Sequence, residues 1–113
     1  MIFHITTEAQ WVAARKRGAY EADSLATDGF IHCSDEHQVA RVGNAGFRGR
    51  TGLVVLHIDE QRVNADVRYE NLEGGEETFP HLYGPLPVDA VIAVSPFIAG
   101  PNGDFTFPES TRD

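Results

Sequence analysis

The sequence predicts an α+β fold, and three observations predict it. Apolar or alternating runs of strand length recur at 2–6, 30–34, 53–58, 67–70 and 91–97. Two segments, 8–17 and about 35–42, carry helix start and stop signals. The strands do not alternate regularly with crossover helices, which argues against a parallel α/β sheet.

In chain order, residues 2–6 place Phe3 and Ile5 on one face and His4 and Thr6 on the other. Residues 8–17 read as a helix. Thr7 and Gln10 have capping-box spacing, Glu8 lies near the start, Arg15, Lys16 and Arg17 lie at the end, and Gly18 stands at the stop. Trp11, Val12 and Ala13 offer its buried stripe. Residues 20–27, of mixed polarity, are expected to form an extended connection. The strand at 30–34 turns Ile31 and Cys33 one way and Phe30, His32 and Ser34 the other. Asp35 and Gln38 then open a helix limited by Gly43 and Gly46. The β-branched run at 53–58 is the expected central strand, and 67–70 is a further strand leading into an acidic loop at 73–77. Pro80, Pro85 and Pro87 make 79–87 rigid and non-helical, a loop that presents His81 and Tyr83 to one side. Residues 91–97 supply a last core strand, and 98–113 a turn or short hairpin. One domain is expected over 1–113, with its core at about 2–97.

Composition narrows the function. The 113 residues are 42% hydrophobic and 23% charged, an ordinary globular balance. Nine basic residues against 17 acidic ones give a net charge of -8, which opposes a nucleic-acid backbone. A single cysteine, Cys33, cannot form an internal disulfide, and on strand alternation it belongs to the core. The first residues lack the basic start and long apolar stretch of a signal peptide, and no run reaches membrane-spanning length, so a cytoplasmic protein with no membrane partner is expected. Neither a glycine-rich dinucleotide or phosphate loop nor a nucleophile-elbow motif is present.

The most informative local feature is a phrase that occurs twice, 28 positions apart: His4-Ile5-Thr6-Thr7-Glu8-Ala9-Gln10 and His32-Cys33-Ser34-Asp35-Glu36-His37-Gln38. Helix capping accounts for the Thr, Ser, Asp, Glu and Gln. It does not account for the histidines, since strand interiors prefer β-branched and aromatic residues. Two imidazoles before two helix starts point to a polar cleft, to which Thr6 and Ser34 lend hydroxyls. Glu70, at a strand end, is a candidate for steadying positive charge or binding a ribose hydroxyl, and His81 with Tyr83 a candidate ligand wall. His4, His32 and His81, with Glu70 as fourth ligand, also allow a metal site, although none has close helical ligand spacing and no metal is expected.

The phrases Ile2-Phe3-His4-Ile5-Thr6, Ser24-Leu25, Gly29-Phe30-Ile31-His32-Cys33-Ser34, Tyr69-Glu70 and Phe79-Pro80-His81-Leu82-Tyr83-Gly84-Pro85-Leu86 resemble the small bacterial family known as domain of unknown function 952, from residue 2 to about 97. That resemblance implies an ADP-ribosylation-like split barrel of two antiparallel sheets with flanking helices. In the broader superfamily a first-strand histidine and a small polar residue help to seat NAD, and His4 with Thr6 is similar to that pair. His32 and Ser34 are similar to the histidine-x-serine element of RNA 2'-phosphotransferases. Ile5 stands where the superfamily usually has glycine, and no arginine partner is evident. The resulting expectation is a cleft for an NAD-like or ribose-phosphate ligand, held by His4, Thr6, Ser24, Ser34, His81 and Tyr83. His32 and Glu70 would be the catalytic pair of an ADP-ribosyl or related transferase. A non-catalytic binding or interaction module of the same fold is the alternative, and a metal-dependent hydrolase is a third class.

Overall fold

The computed structural model describes residues 1–72 and 74–108. Its elements in chain order are β1 (Ile2–Thr7), α1 (Glu8–Arg17), β2 (Ala19–Tyr20), α2 (Asp23–Asp28), β3 (Ile31–His32), α3 (Val39–Gly46), β4 (Leu53–Ile58), β5 (Asp66–Glu70), β6 (Phe79–Tyr83), β7 (Leu86–Pro87) and β8 (Val91–Phe97). The strands form three antiparallel sheets: β1-β4-β8, β3-β6-β5 and a short β2-β7 ribbon that the two-sheet expectation omits. A backbone bridge between Phe3 and Ser34 ties the first sheet to the second.

Helix α1 forms as its signals indicate. The Thr7 hydroxyl accepts the Gln10 N–H, and Gly18 at φ +92° turns its N–H back to the Ala14 carbonyl, a conformation costly for any residue with a Cβ. Its buried face is Trp11 and Ala14; Val12 and Ala13 are exposed, because the core-facing residues repeat at a spacing of three rather than consecutively. The expected extended connection at 20–27 is corrected to a two-residue strand and the one-and-a-half-turn helix α2. Asp23 starts that helix, and Gly29 ends it at φ +88° by donating to Ser24 and Leu25.

The second capping box is present around Asp35 and Gln38, but it opens a 3-10 turn, Glu36–Gln38, before α3 begins. Gln38 is buried because its amide is fully used. Its Oε1 accepts the Asp35 N–H, while its Nε2 donates to Glu77 and to the Thr78 carbonyl, fastening this turn to the entry of β6. Gly43 lies inside α3 rather than limiting it. It lets the helix approach β8: a Cβ built there would meet the Phe97 ring at 2.6 Å.

The proline-rich segment is corrected from loop to strand, with β6 central in its sheet. Pro80 is tolerated there. Its carbonyl points at β3 and accepts the Cys33 N–H at 3.0 Å, so the missing N–H falls where β3 has already ended. Strand β8, expected in the core, is an edge strand that leaves Ile92 and Val94 exposed. Residues 100–104 make the expected turn; Glu73 and residues 109–113, which complete the expected acidic loop and terminal hairpin, lie outside the described residues. Two apolar clusters flank the first sheet. One gathers Ile2, Trp11, Leu56, Ile31 and Leu82, the other Phe3, Ile5, Val39, Val55 and Phe97. Among the described residues no helix is long and apolar enough to cross a membrane.

Gly43→Ala is expected to lower stability. Phe97 is buried and stacked on Phe105 with ring centroids 4.4 Å apart, so it cannot yield. Overpacking costs about 1–3 kcal/mol and helix propensity returns up to about 1. A chemical-denaturation midpoint at least as high as that of the parent chain would refute the packing argument.

Candidate functional site

The bridge between Phe3 and Ser34 brings β1 beside β3, and a histidine side chain completes the junction. The Phe3 N–H donates to the Ser34 carbonyl at 2.8 Å and the Ser34 N–H to the Phe3 carbonyl at 2.7 Å. One residue along, His4 Nδ1 lies 2.6 Å from the His32 carbonyl. A carbonyl only accepts, so the proton is on Nδ1. Burial depresses His4 from 6.5 to about 4, so the ring is neutral at physiological pH and Nε2 takes the Tyr20 hydroxyl, 2.8 Å away, as donor. The Tyr20 hydroxyl also lies 2.9 Å from Thr6 Oγ1, which contacts Gln10 Oε1 at 2.8 Å.

The second sheet supplies two more imidazoles. On β6, alternation puts Phe79, His81 and Tyr83 on the cleft side while Pro80 and Leu82 are buried behind; on β3, Ile31 is buried and His32 faces out. His81 Nδ1–H donates to Glu70 Oε1 at 2.9 Å, and the Tyr83 hydroxyl donates to the same oxygen at 2.6 Å. These two bonds, Tyr83 first, hold the Glu70 carboxyl below its ordinary range; the same bond raises Tyr83. Phe30 stacks on His81 with centroids 4.0 Å apart at 21°. His32 Nε2 bonds Asp28 Oδ2 at 3.0 Å, and its ring centroid is 5.6 Å from that of His81.

His4, His32, Ser34 and His81 border one cavity of about 160 Å³, with Val42 and Phe47 among its apolar walls. Among the described residues every fully buried side-chain nitrogen and oxygen has a partner; His81 Nε2 has none and is therefore not fully buried, and His81 borders the cavity. A second groove, of about 230 Å³, shares His4, Ile5 and Phe47 with the first and runs past Thr6, Gln10 and Tyr20 to Arg50.

The other expected site residues fall elsewhere. Thr6 borders only the second groove, where its hydroxyl is shared by Tyr20 and Gln10. Ser24 borders neither cavity; its hydroxyl donates to the Phe30 carbonyl and anchors the turn before β3. Tyr83 has the Arg68 guanidinium 4.6 Å above its ring, which covers one face, and Phe30 tilted beside it. Glu70 stands behind His81 and presents its bonded oxygen to protein donors. Cys33 is buried, and desolvation pushes its thiol up to about 12. Tyr20, Phe47 and Arg50 also border these cavities, and an isolated Tyr, Phe or Arg outside a motif carries no local signal in the sequence. As for metal, both nitrogens of His4 are taken by protein partners, and no three His, Cys, Asp or Glu side chains are grouped to hold an ion among the described residues.

Two imidazoles, each oriented by a carboxylate and facing one cavity, can accept and deliver protons to a bound molecule. An antiparallel α+β domain with a histidine-lined cleft at the corner of two sheets is thus the class the geometry defines. The chain belongs to the DUF952 family of proteins of unknown function, whose signature matches residues 5–94. It is similar to the X-ray structure of protein CC0527 from Caulobacter crescentus, at 33% identity and a TM-score of 0.83 over 93% of this chain and 92% of that one. The solution NMR structure of CC0527 gives 34% identity and a TM-score of 0.80 over 91% and 89%. No curated protein matches the chain.

The His4 junction sets a pH dependence. Between its folded value of about 4 and its unfolded value near 6.5, the unfolded chain binds the extra proton. Stability from this group is therefore whole above about 6.5 and is lost as pH falls toward 4, by on the order of 3 kcal/mol in full. Denaturation midpoints across this range should fall less steeply in His4→Gln than in the parent chain; parallel profiles would contradict the assignment.

Proposed function

We propose that the cleft binds a small ribose-phosphate ligand, a nucleoside phosphate or an NAD-like molecule, and that His81 and His32 exchange protons with it. The observation that carries this reading is the unpartnered Nε2 of His81, opening on a cavity that also holds the carboxylate-bound His32. Ser34 adds a hydroxyl for a sugar, and Arg50, the one Lys or Arg on either cavity among the described residues, supplies a fork for phosphate. A cavity of about 160 Å³ is below the usual range for drug-sized ligands and suits one ring. A dinucleotide would have to continue past Phe47 into the second groove.

The fold that accompanies this reading is the ADP-ribosylation-like split barrel, with the cleft at the joint between its two larger sheets. Glu70 acts in it as the group that orients His81, not as a direct stabiliser of a cationic sugar, because its Oε1 is held by His81 and Tyr83. The reaction best supported is therefore acid–base-assisted transfer at a phosphate or glycosidic bond of such a ligand. That same commitment of Glu70 favours one second reading, a binding module of the same fold without turnover.

Calorimetry with NAD, ADP-ribose, AMP and adenosine tests the proposal. Heat is expected with at least one phosphate-bearing ligand, and His81→Gln should weaken it. Arg50→Gln should lower phosphate-ligand affinity by about tenfold while leaving adenosine unaffected. No heat with any of the four, on protein verified as folded, removes the reading; binding without release of nicotinamide or phosphate selects the module.

A further inference from the structure

A third cavity borders the start of β1, shares no lining residue with the histidine cleft, and has walls of a different chemistry. Phe3 is its floor. His57, opposite Phe3 in the register of β1 and β4, stands at 76° to it with centroids 5.1 Å apart, and Phe107 stands at 88° at 5.2 Å. His57 and Phe107 are themselves inclined at 63°, 6.1 Å apart. Three rings at steep angles form the corner of a box, and the space they border measures about 420 Å³.

A carboxylate and an ammonium that is paired elsewhere border this corner. Glu36 is the carboxylate on the cavity wall. Met1 also borders it, but its ammonium pairs with Glu60 at 3.7 Å. His57 interrupts an otherwise aliphatic strand, and its orientation is set by a 2.9 Å bond from Nε2 to the Ser95 hydroxyl on β8. Burial lowers its pKa, so the ring stays neutral and does not repel a cation. The chain as a whole carries a net charge of -8. Ring faces present negative charge to a cation, and a cation with a bulky alkyl shell gains most because it surrenders little hydration.

We propose that the Phe3–His57–Phe107 corner, with Glu36 at its wall, binds the quaternary or methylated ammonium group of a small molecule. The site is separate from the histidine cleft and does not depend on its function. Phe107 is only partly buried, so Phe107→Leu is expected to leave the fold intact, which thermal unfolding checks.

Titration of the whole chain with choline and with its neutral isostere 3,3-dimethylbutanol, followed by NMR, tests the proposal. Choline is expected to bind in the millimolar range, with its methyl protons shifted upfield by the rings, and the isostere at least several-fold more weakly. Phe107→Leu should weaken choline by on the order of tenfold, and Glu36→Gln by about fivefold. Equal binding of both probes would show a merely apolar cavity and overturn the proposal, as would no choline binding by folded protein or binding untouched by Phe107→Leu.

Discussion

The junction of β1 with β3 is the constraint on which the cleft depends, and a neutral imidazole secures it. Small sheets gain stability by packing an apolar face, and here the two larger ones are held to each other. Here the paired backbone groups of Phe3 and Ser34 give the register, and the Nδ1–H of His4 reaches over to the His32 carbonyl next door. The polar side chains of His4 and Thr6 sit at the core boundary without an orphaned atom because Tyr20, delivered by the short β2 strand, bonds both. A histidine in this position thus acts through geometry: it closes one wall of the cavity and carries no charge while doing so.

Around that joint the protein pairs two of its acids with two imidazoles. Asp28 and Glu70 each hold one nitrogen of an imidazole, which settles where His32 and His81 point. Phe30 then covers one face of His81, and Ser24 holds the turn that delivers Phe30. Residues that never touch the cavity therefore shape it. The effect is to place two imidazoles 5.6 Å apart by ring centroid in a protein of net charge -8. Next to His4 the same strand carries Phe3 into an aromatic corner, so neighbouring residues of one strand serve two cavities of unlike chemistry.

Much of the fold was legible where the relevant forces are local. Thr7, Glu8, Arg15 to Arg17 and Gly18 mark α1 correctly because capping and dipole effects act within a few residues. The facing of β1, of Ile31 with Cys33, and of His81 with Tyr83 followed from alternation alone. Errors arose where a distant neighbour decided the outcome. Gly43 looked like a stop but serves contact with Phe97, 54 positions on in the chain by number; Pro80 looked like a strand breaker but falls beside the end of β3; α2 is too short to show a period.

The sequence by itself determined an α+β domain, its family, and the recurrence of histidines before helix starts, because pattern, capping and motif are written in neighbouring residues. Only the tertiary structure decided which of those histidines remain available. His4 proves to be bonded on both nitrogens, His81 keeps one open toward the cleft, Ser24 and Tyr83 turn to structural tasks, and Arg50 arrives from a loop with no motif. The physical reason is that the state of a polar group depends on the donors and acceptors that surround it, and those come from strands and turns far apart in the chain.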